Sequence, residues 1–67
     1  MIKVKAVKKP IPVTAYQTNK RIIIHSLEGD MLAQPNDWVL TGVNNEQWVV
    51  RNDIFKKTYN IIEYLNK

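Results

Sequence analysis

His25 and Ser26 are neighbours, and an imidazole beside a hydroxyl is the pairing that nucleophilic catalysis uses. Both fall in residues 21–26, where three consecutive isoleucines favour a strand. Neighbours on a strand point to opposite faces, so these two side chains cannot form a nucleophile–base pair without distortion. The Gly-x-Ser-x-Gly turn of many hydrolases is also missing from the sequence. We therefore expect an ordinary strand histidine, and a protein that is not an enzyme.

Metal and cofactor chemistry has little support in the sequence. There is one histidine and no cysteine. Glu28, Asp30 and Asp37 fall in turns, but their spacing does not match an EF-hand loop, and turn carboxylates usually bond to their own backbone. Gly29 and Gly42 are the only glycines, so no phosphate-binding glycine loop exists. We expect no metal site and no cofactor.

Aromatic and basic residues are better candidates for binding. The candidate binding surface consists of Tyr16, Trp38, Trp48, Lys3, Lys5, Lys8 and Lys9. Tryptophans with lysines nearby would stack on nucleic-acid bases, or they would anchor a protein interface. A third interpretation is that they fill a small core, since Trp38 would share a face with Leu40, and Trp48 with Val50.

The charge is unevenly distributed. Residues 1–21 carry six bases and no acid, whereas residues 22–67 carry four bases and six acids, which gives +6 and −2. A basic end of this kind would meet an anionic partner. Lysines also protect an exposed edge strand from aggregation, and that is the interpretation we favour.

The length, 67 residues, predicts a single domain (residues 1–67) with a small core. Without disulfides or a metal, such a chain depends on a tight β core, a bound partner or self-association. The first residues lack the continuous apolar segment of a secretory leader, and no run is long enough for a membrane span. Together with the lack of cysteine, this predicts a cytoplasmic protein.

Short apolar runs separated by turn residues predict most of the secondary structure. Strand-like patterns occur at residues 2–6, 13–17, 21–26, 31–33, 38–41, 47–51 and 58–64, and a helical turn is expected at 52–57. Helical spacing leaves a longer helix as the alternative for residues 58–64. Asn52 or Asp53 would cap the helical turn, and Ile54 and Phe55 would anchor it.

Turn chemistry predicts where the chain reverses. Gly29 can take a positive φ in a turn over residues 27–30. Pro35 and Asn36 have the residue types of a type II turn. Residues 42–46 form a third turn. The fold is therefore expected to be mainly β, either a small SH3-like partly open barrel or a strongly bent antiparallel sheet of five to six strands, with one short helical turn near the C-terminus.

Five motifs occur in the order found in a family of small proteins encoded by tailed phages and prophages. They are Lys-Pro-Ile-Pro-Val at residues 9–13, Glu-Gly-Asp at 28–30, Pro-Asn-Asp-Trp at 35–38, Gly-Val-Asn-Asn-Glu at 42–46 and Asp-Ile-Phe-Lys-Lys-Thr-Tyr at 53–59. The chain resembles this family over most of its length, although Asn36 stands where the family has glycine. The resemblance implies a phage accessory protein from a family with no established catalytic site, acting inside a bacterial cell.

These observations lead us to expect a non-enzymatic accessory protein that binds another protein, either a host factor or a second copy of itself. Nucleic-acid binding through the basic first third is the alternative. A further alternative is sequestration of a small molecule. This would require an oligomer, because one chain of this size hardly encloses a cavity.

Overall fold

Five strands and one helix make up the fold. A computed structural model describes residues 1–26 and 28–65. The elements in chain order are β1 (Thr14–Gln17), β2 (Ile22–Ser26), β3 (Gly29–Ala33), β4 (Trp38–Thr41), β5 (Gln47–Val50) and α1 (Asn52–Thr58). The expected mainly β fold with one short helix near the C-terminus is confirmed.

The strands form two antiparallel sheets. One has the order β1-β4-β5, and the other is the β2-β3 hairpin. In the first sheet Trp38 lies opposite Val50, and Leu40 lies opposite Trp48, so these four side chains share one face of the sheet. Over residues 1–26 and 28–65 the sheets do not close into a barrel, which agrees with the expected open or bent arrangement.

The core lies between the hairpin and the three-stranded sheet. Its buried cluster consists of Ile24, Ala33 and Val39, with Ile22, Met31 and Val49 packed against it. Val39 and Leu40 are both fully buried, although neighbours on a strand point to opposite faces. β4 is therefore covered on both faces, and this requires packing on the side of the sheet away from the hairpin.

Positive φ angles occur where the turn residues predict them. Gly29 has φ 118° and begins β3; Leu27, the first residue of that expected turn, lies outside the described residues. Asn36 has φ 78°, and the Asp37 N–H donates to the Gln34 carbonyl at 3.0 Å, which closes the expected turn after Pro35. At residues 42–46, the Gly42 N–H donates to the Glu46 carbonyl at 2.9 Å.

Two segments that the sequence predicts as strands are not strands. Residues 2–6 have no regular structure, and in the segment 58–64 Thr58 ends α1 while the rest is irregular. Alternating apolar residues set a side-chain period, but a strand also needs a neighbour for its backbone hydrogen bonds. The structure gives neither segment such a neighbour among the described residues.

The helical turn is confirmed as α1, which spans seven residues and has Lys56 and Lys57 in its last turn. The expected capping by Asn52 or Asp53 is wrong, because the N-cap is Arg51 and has no side-chain cap bond. Within the described residues no helix has the length and apolar character needed to cross a membrane.

One residue, Phe55, anchors α1 to the sheet. Its side chain is only 6% exposed, whereas Ile54, the second expected anchor, is 42% exposed. A seven-residue helix is too short to be stable in isolation, so it depends on this contact. The Phe55 ring supplies the packing that covers β4 on the side away from the hairpin.

Candidate protein interface

Three stacked aromatic rings cover the α1 side of the sheet. The Trp38 and Phe55 rings lie 4.0 Å apart between centroids with an interplanar angle of 11°. The Phe55 and Tyr59 rings follow at 5.1 Å and 13°. Phe55 and Tyr59 are four residues apart, the spacing that places side chains on one face of a helix. Trp38 is thus held between the sheet and the helix.

The Trp38 indole also determines the hydrogen bonding of the Asn52 side chain. Trp38 Nε1 donates a hydrogen bond of 2.9 Å to Oδ1 of Asn52. A half-buried indole N–H needs a partner, because leaving it unpaired carries a desolvation cost. The Asn52 side chain therefore bonds to β4 instead of capping α1.

Lys8 joins the N-terminal segment to the aromatic side. Its Nζ donates a 2.9 Å hydrogen bond to the Tyr59 hydroxyl and lies 5.1 Å from the centroid of the Trp48 ring. At that distance an ammonium group is attracted to the electron-rich face of an indole. The Ile11 N–H donates to the Lys9 carbonyl at 2.8 Å, a three-residue turn centred on Pro10. These contacts fix where the chain crosses Trp48.

A long groove opens between the two ends of the chain. Residues 8–17 form one wall, residues 58–65 form the other, and Trp38 and Phe55 also line the groove, whose volume is about 1000 Å³. We call it the tail groove. The lining residues with exposed apolar side chains are Ile11, Tyr16, Ile61, Ile62, Tyr64 and Leu65. Its lining is therefore largely apolar and open to solvent.

β1 forms part of the first wall and is an edge strand. The N–H of Thr18, which follows β1 directly, donates to the Asp37 carbonyl at 3.0 Å, toward β4. Backbone groups of successive strand residues point alternately to the two sides of the strand. Ala15 and Gln17 therefore direct their N–H and C=O groups away from β4. These groups can hydrogen-bond to an added strand.

The structure brings together only part of the sequence-based surface. Tyr16, Trp38, Lys8 and Lys9 all line the tail groove. Trp48 lies on the same sheet face as Trp38, beneath Lys8. The two tryptophans are half-buried, so they serve the packing of the domain and present only part of each ring.

Lys3 and Lys5 lie apart from this surface. Both are exposed on residues 1–7, which have no regular structure. They would steer a charged partner toward the domain without contacting the aromatic rings.

Sequence reasoning did not include Phe55, Tyr59 or the apolar residues of the segment 60–65 in the candidate binding surface. The recurrence of Phe55, Tyr59 and Ile62 at helical spacing was the available signal for the aromatic stack. No local pattern signals that residues 58–65 and β1 line the same groove, because the two segments are distant in the sequence.

The residues considered for catalysis form a surface cluster on the β2-β3 hairpin. His25 Nδ1 lies 2.8 Å from Asp30 Oδ1, directly across the hairpin, and both side chains are exposed. The Ser26 hydroxyl donates to the Gly29 carbonyl at 2.6 Å. Ser26 therefore bonds to the turn backbone and His25 to the aspartate, so the two do not act on each other. The part of the chain that the structure describes contains no cluster of three metal-ligating side chains.

One ion pair shifts the pKa of both its members. Arg51 donates hydrogen bonds of 3.1 and 2.9 Å to the two carboxylate oxygens of Asp53. This bonding, more than the attraction of the charges, lowers the pKa of Asp53 and raises the pKa of Arg51. The pair is exposed and lies at the start of α1, outside the tail groove.

No protein-family model, curated protein or solved structure matches this chain. A functional proposal for this chain therefore rests on the groove, the strand edge and the charges.

Proposed function

We propose that this protein is a non-enzymatic binding module that takes an extended segment of another polypeptide along β1 and into the tail groove. The setting suggested by the five phage-like motifs is an accessory protein encoded by a phage or prophage and acting in the cytoplasm of its bacterial host. The single observation that carries the proposal is the outward-facing backbone of Ala15 and Gln17 beside an apolar groove.

Strand addition uses both parts of this surface. An added strand receives main-chain hydrogen bonds from the exposed edge, and alternate side chains enter neighbouring pockets. Here the edge offers the backbone groups of Ala15 and Gln17, and the opposite wall offers Ile61, Ile62 and Leu65. A partner with alternating apolar side chains in an extended conformation fits both.

Nucleic-acid binding is less well supported by this arrangement. Lys8 lies over the Trp48 ring, so a base would stack there only after displacing the ammonium group. Trp38 is stacked on Phe55 and has its indole N–H bonded to Asn52. The alternative predicts an affinity that falls steeply with salt as counterions are released. A single-stranded oligonucleotide titration at two salt concentrations tests it.

Random ten-residue peptides, displayed and selected on the intact protein, test the proposal. Selected peptides are expected to bind wild type and Ala15→Ser equally, because both retain the residue 15 N–H. Binding is expected to be lost in Ala15→Pro, which removes an outward N–H while the β1–β4 hydrogen bonds remain. Chemical synthesis with an N-methyl group on Ala15 gives a second variant if the proline substitution disturbs folding.

Two results would count against the proposal. Peptides that bind Ala15→Pro as well as wild type would place the binding surface elsewhere. Failure to select any peptide, combined with a monomeric protein at high concentration, would remove the binding function itself.

A further inference from the structure

The chain exposes far more surface than its mass requires. Its accessible surface is 6304 Å² and its radius of gyration is 13.4 Å. A compact monomer of 7.8 kDa should expose about 4,400 Å² and have a radius near about 11 Å. The excess of about 1,900 Å² is more than twice the roughly 800 Å² that each partner buries in a standard protein interface.

Residues 1–7, which we call the arm, are all exposed. Ile2, Val4 and Val7 are 91%, 74% and 92% exposed. Lys3 and Lys5 alternate with the first two, so Ile2 and Val4 would occupy one side of an extended arm and the lysines the other. The arm has the side-chain period of a strand but no partner strand in the described structure.

We propose that the occupant of the tail groove is the arm of a second copy of this chain, which adds along β1, so that two copies exchange arms in a two-fold symmetric dimer. This inference rests on the proposed function of the groove and adds the identity of the occupant. The arm supplies the alternating apolar residues, and β1 supplies the unpaired edge. Each copy gives one arm and receives one, so the arrangement closes at two copies with both arms and both β1 edges occupied.

The length of the arm and the segment that joins it to β1 agree with this arrangement. Seven extended residues span about 23 Å, which exceeds the roughly 13 Å of a four-residue strand such as β1. Residues 8–13 connect the arm to β1 and contain Pro10 and Pro12, which restrict the backbone. Lys8 is held at Trp48 on β5, the opposite edge of the three-stranded sheet from β1. The arm therefore leaves its own domain on the β5 side of the sheet, away from the outer edge of β1 in the same copy.

Repulsion between the two positively charged copies makes the stability of this dimer depend on salt concentration. Each copy carries a net charge of +4, so the two copies repel each other at long range. With Ile2 and Val4 directed into the groove, Lys3 and Lys5 point to solvent. Glu63 is the one acidic residue among the described residues that line the groove. Salt screens the repulsion between copies, so added salt is expected to strengthen the dimer. An acidic peptide in the groove would instead bind more weakly in salt.

Sedimentation equilibrium of the full chain tests the dimer directly. Wild type is expected to have twice the chain mass of 7.8 kDa at high concentration. The double variant Ile2→Lys, Val4→Lys is expected to weaken dimerisation by at least about a hundredfold, since two apolar side chains lose burial. The matched control, Ile23→Lys with Ile54→Lys, adds the same two charges at exposed apolar positions outside the arm and groove and is expected to remain dimeric.

A peptide with the sequence of residues 1–9, MIKVKAVKK, tests the occupant separately from the oligomeric state. It is expected to bind the full-length Ile2→Lys, Val4→Lys variant, which has a free groove. The same variant carrying Ala15→Pro is expected not to bind it. Amide signals of Ala15 and Gln17 should shift on binding, and those of the β2-β3 hairpin should not.

The outcomes separate this inference from the function on which it rests. A wild-type monomer together with displayed peptides that need the Ala15 N–H would overturn arm exchange and leave the groove as a site for another polypeptide. A dimer that survives the arm substitutions but is lost in the Ile23, Ile54 control would also overturn arm exchange. Absence of both dimer and peptide binding would overturn the proposed function as well.

Discussion

Lys8 and Tyr59 are 51 positions apart in the sequence, yet the Lys8 ammonium donates a 2.9 Å hydrogen bond to the Tyr59 hydroxyl. The same ammonium lies over Trp48, so one side chain connects the base of the arm, β5 and the end of α1. This contact holds residues 8–13 across the sheet and positions the first wall of the tail groove.

Lys8→Met should therefore loosen this wall. The substitution keeps the aliphatic stem but removes the hydrogen bond and the cation–π contact, for an expected loss of about 0.5–1.5 kcal/mol in the free energy of unfolding. Urea denaturation measures the loss. Lys9→Met makes the same charge change beside it and should be close to neutral; equal losses in both variants would show that the Lys8 contact does not stabilise the fold.

Phe55→Ala should remove most of the stability of the domain. The ring is 6% exposed and packs against both Trp38 and Tyr59, and deleting a buried phenylalanine costs about 3–5 kcal/mol. A domain of this size has little more than that in total. Circular dichroism should show partial or complete unfolding at room temperature. Ile54→Ala, at an exposed neighbour, should change the free energy of unfolding by less than about 1 kcal/mol, and a larger loss there would contradict the assignment of Phe55 as the anchor.

The hydrogen bond between Trp38 and Asn52 predicts coupling between the two residues. Asn52→Ala leaves the half-buried indole N–H without its partner and should cost about 1–2 kcal/mol. Trp38→Phe removes the donor, so Asn52→Ala should cost clearly less in that background. A double-mutant cycle by urea denaturation measures the difference. Additive losses would mean that the bond does not contribute to stability.

Acid titration should reveal the pair formed by Arg51 and Asp53. The hydrogen bonds from Arg51 lower the folded-state pKa of Asp53 below its ordinary value of 3.8. A carboxyl with a lowered pKa contributes stability above its unfolded-state value, and that contribution is lost as pH falls through its folded-state value. The difference in urea midpoint between wild type and Asp53→Asn should therefore be small at neutral pH, because the pair is exposed, and should vanish in strong acid. An NMR titration that gives Asp53 a pKa above 3.8 would contradict the pairing.

Local chemistry in the sequence predicts the turns and the central sheet correctly. Asn36 takes the positive φ expected after Pro35, and Gly29 takes a positive φ at the start of β3. The sequence also places one strand on each side of the turn at residues 42–46, and the structure has β4 and β5 there, paired antiparallel. In these cases the deciding interactions lie between residues close in sequence or between adjacent strands of one hairpin.

Features that depend on distant contacts could not be obtained in this way. Asn52 has the residue type of a helix cap, but its side chain bonds to Trp38, fourteen residues away. Residues 2–6 have the period of a strand, but whether a strand forms depends on an available edge, which the pattern does not encode. The tail groove is likewise invisible to local reasoning, because its walls come from the two ends of the chain.

Amide hydrogen exchange at Ala15 and Gln17 tests the central claim most directly, namely that the outer edge of β1 accepts an added strand. In the Ile2→Lys, Val4→Lys variant without ligand, both amides should exchange fast, while Tyr16, bonded toward β4, should be protected. Bound MIKVKAVKK or a selected displayed peptide should slow exchange at Ala15 and Gln17 by at least about tenfold and leave Tyr16 little changed. Fast exchange at Ala15 and Gln17 in the presence of a bound peptide would contradict strand addition at this edge.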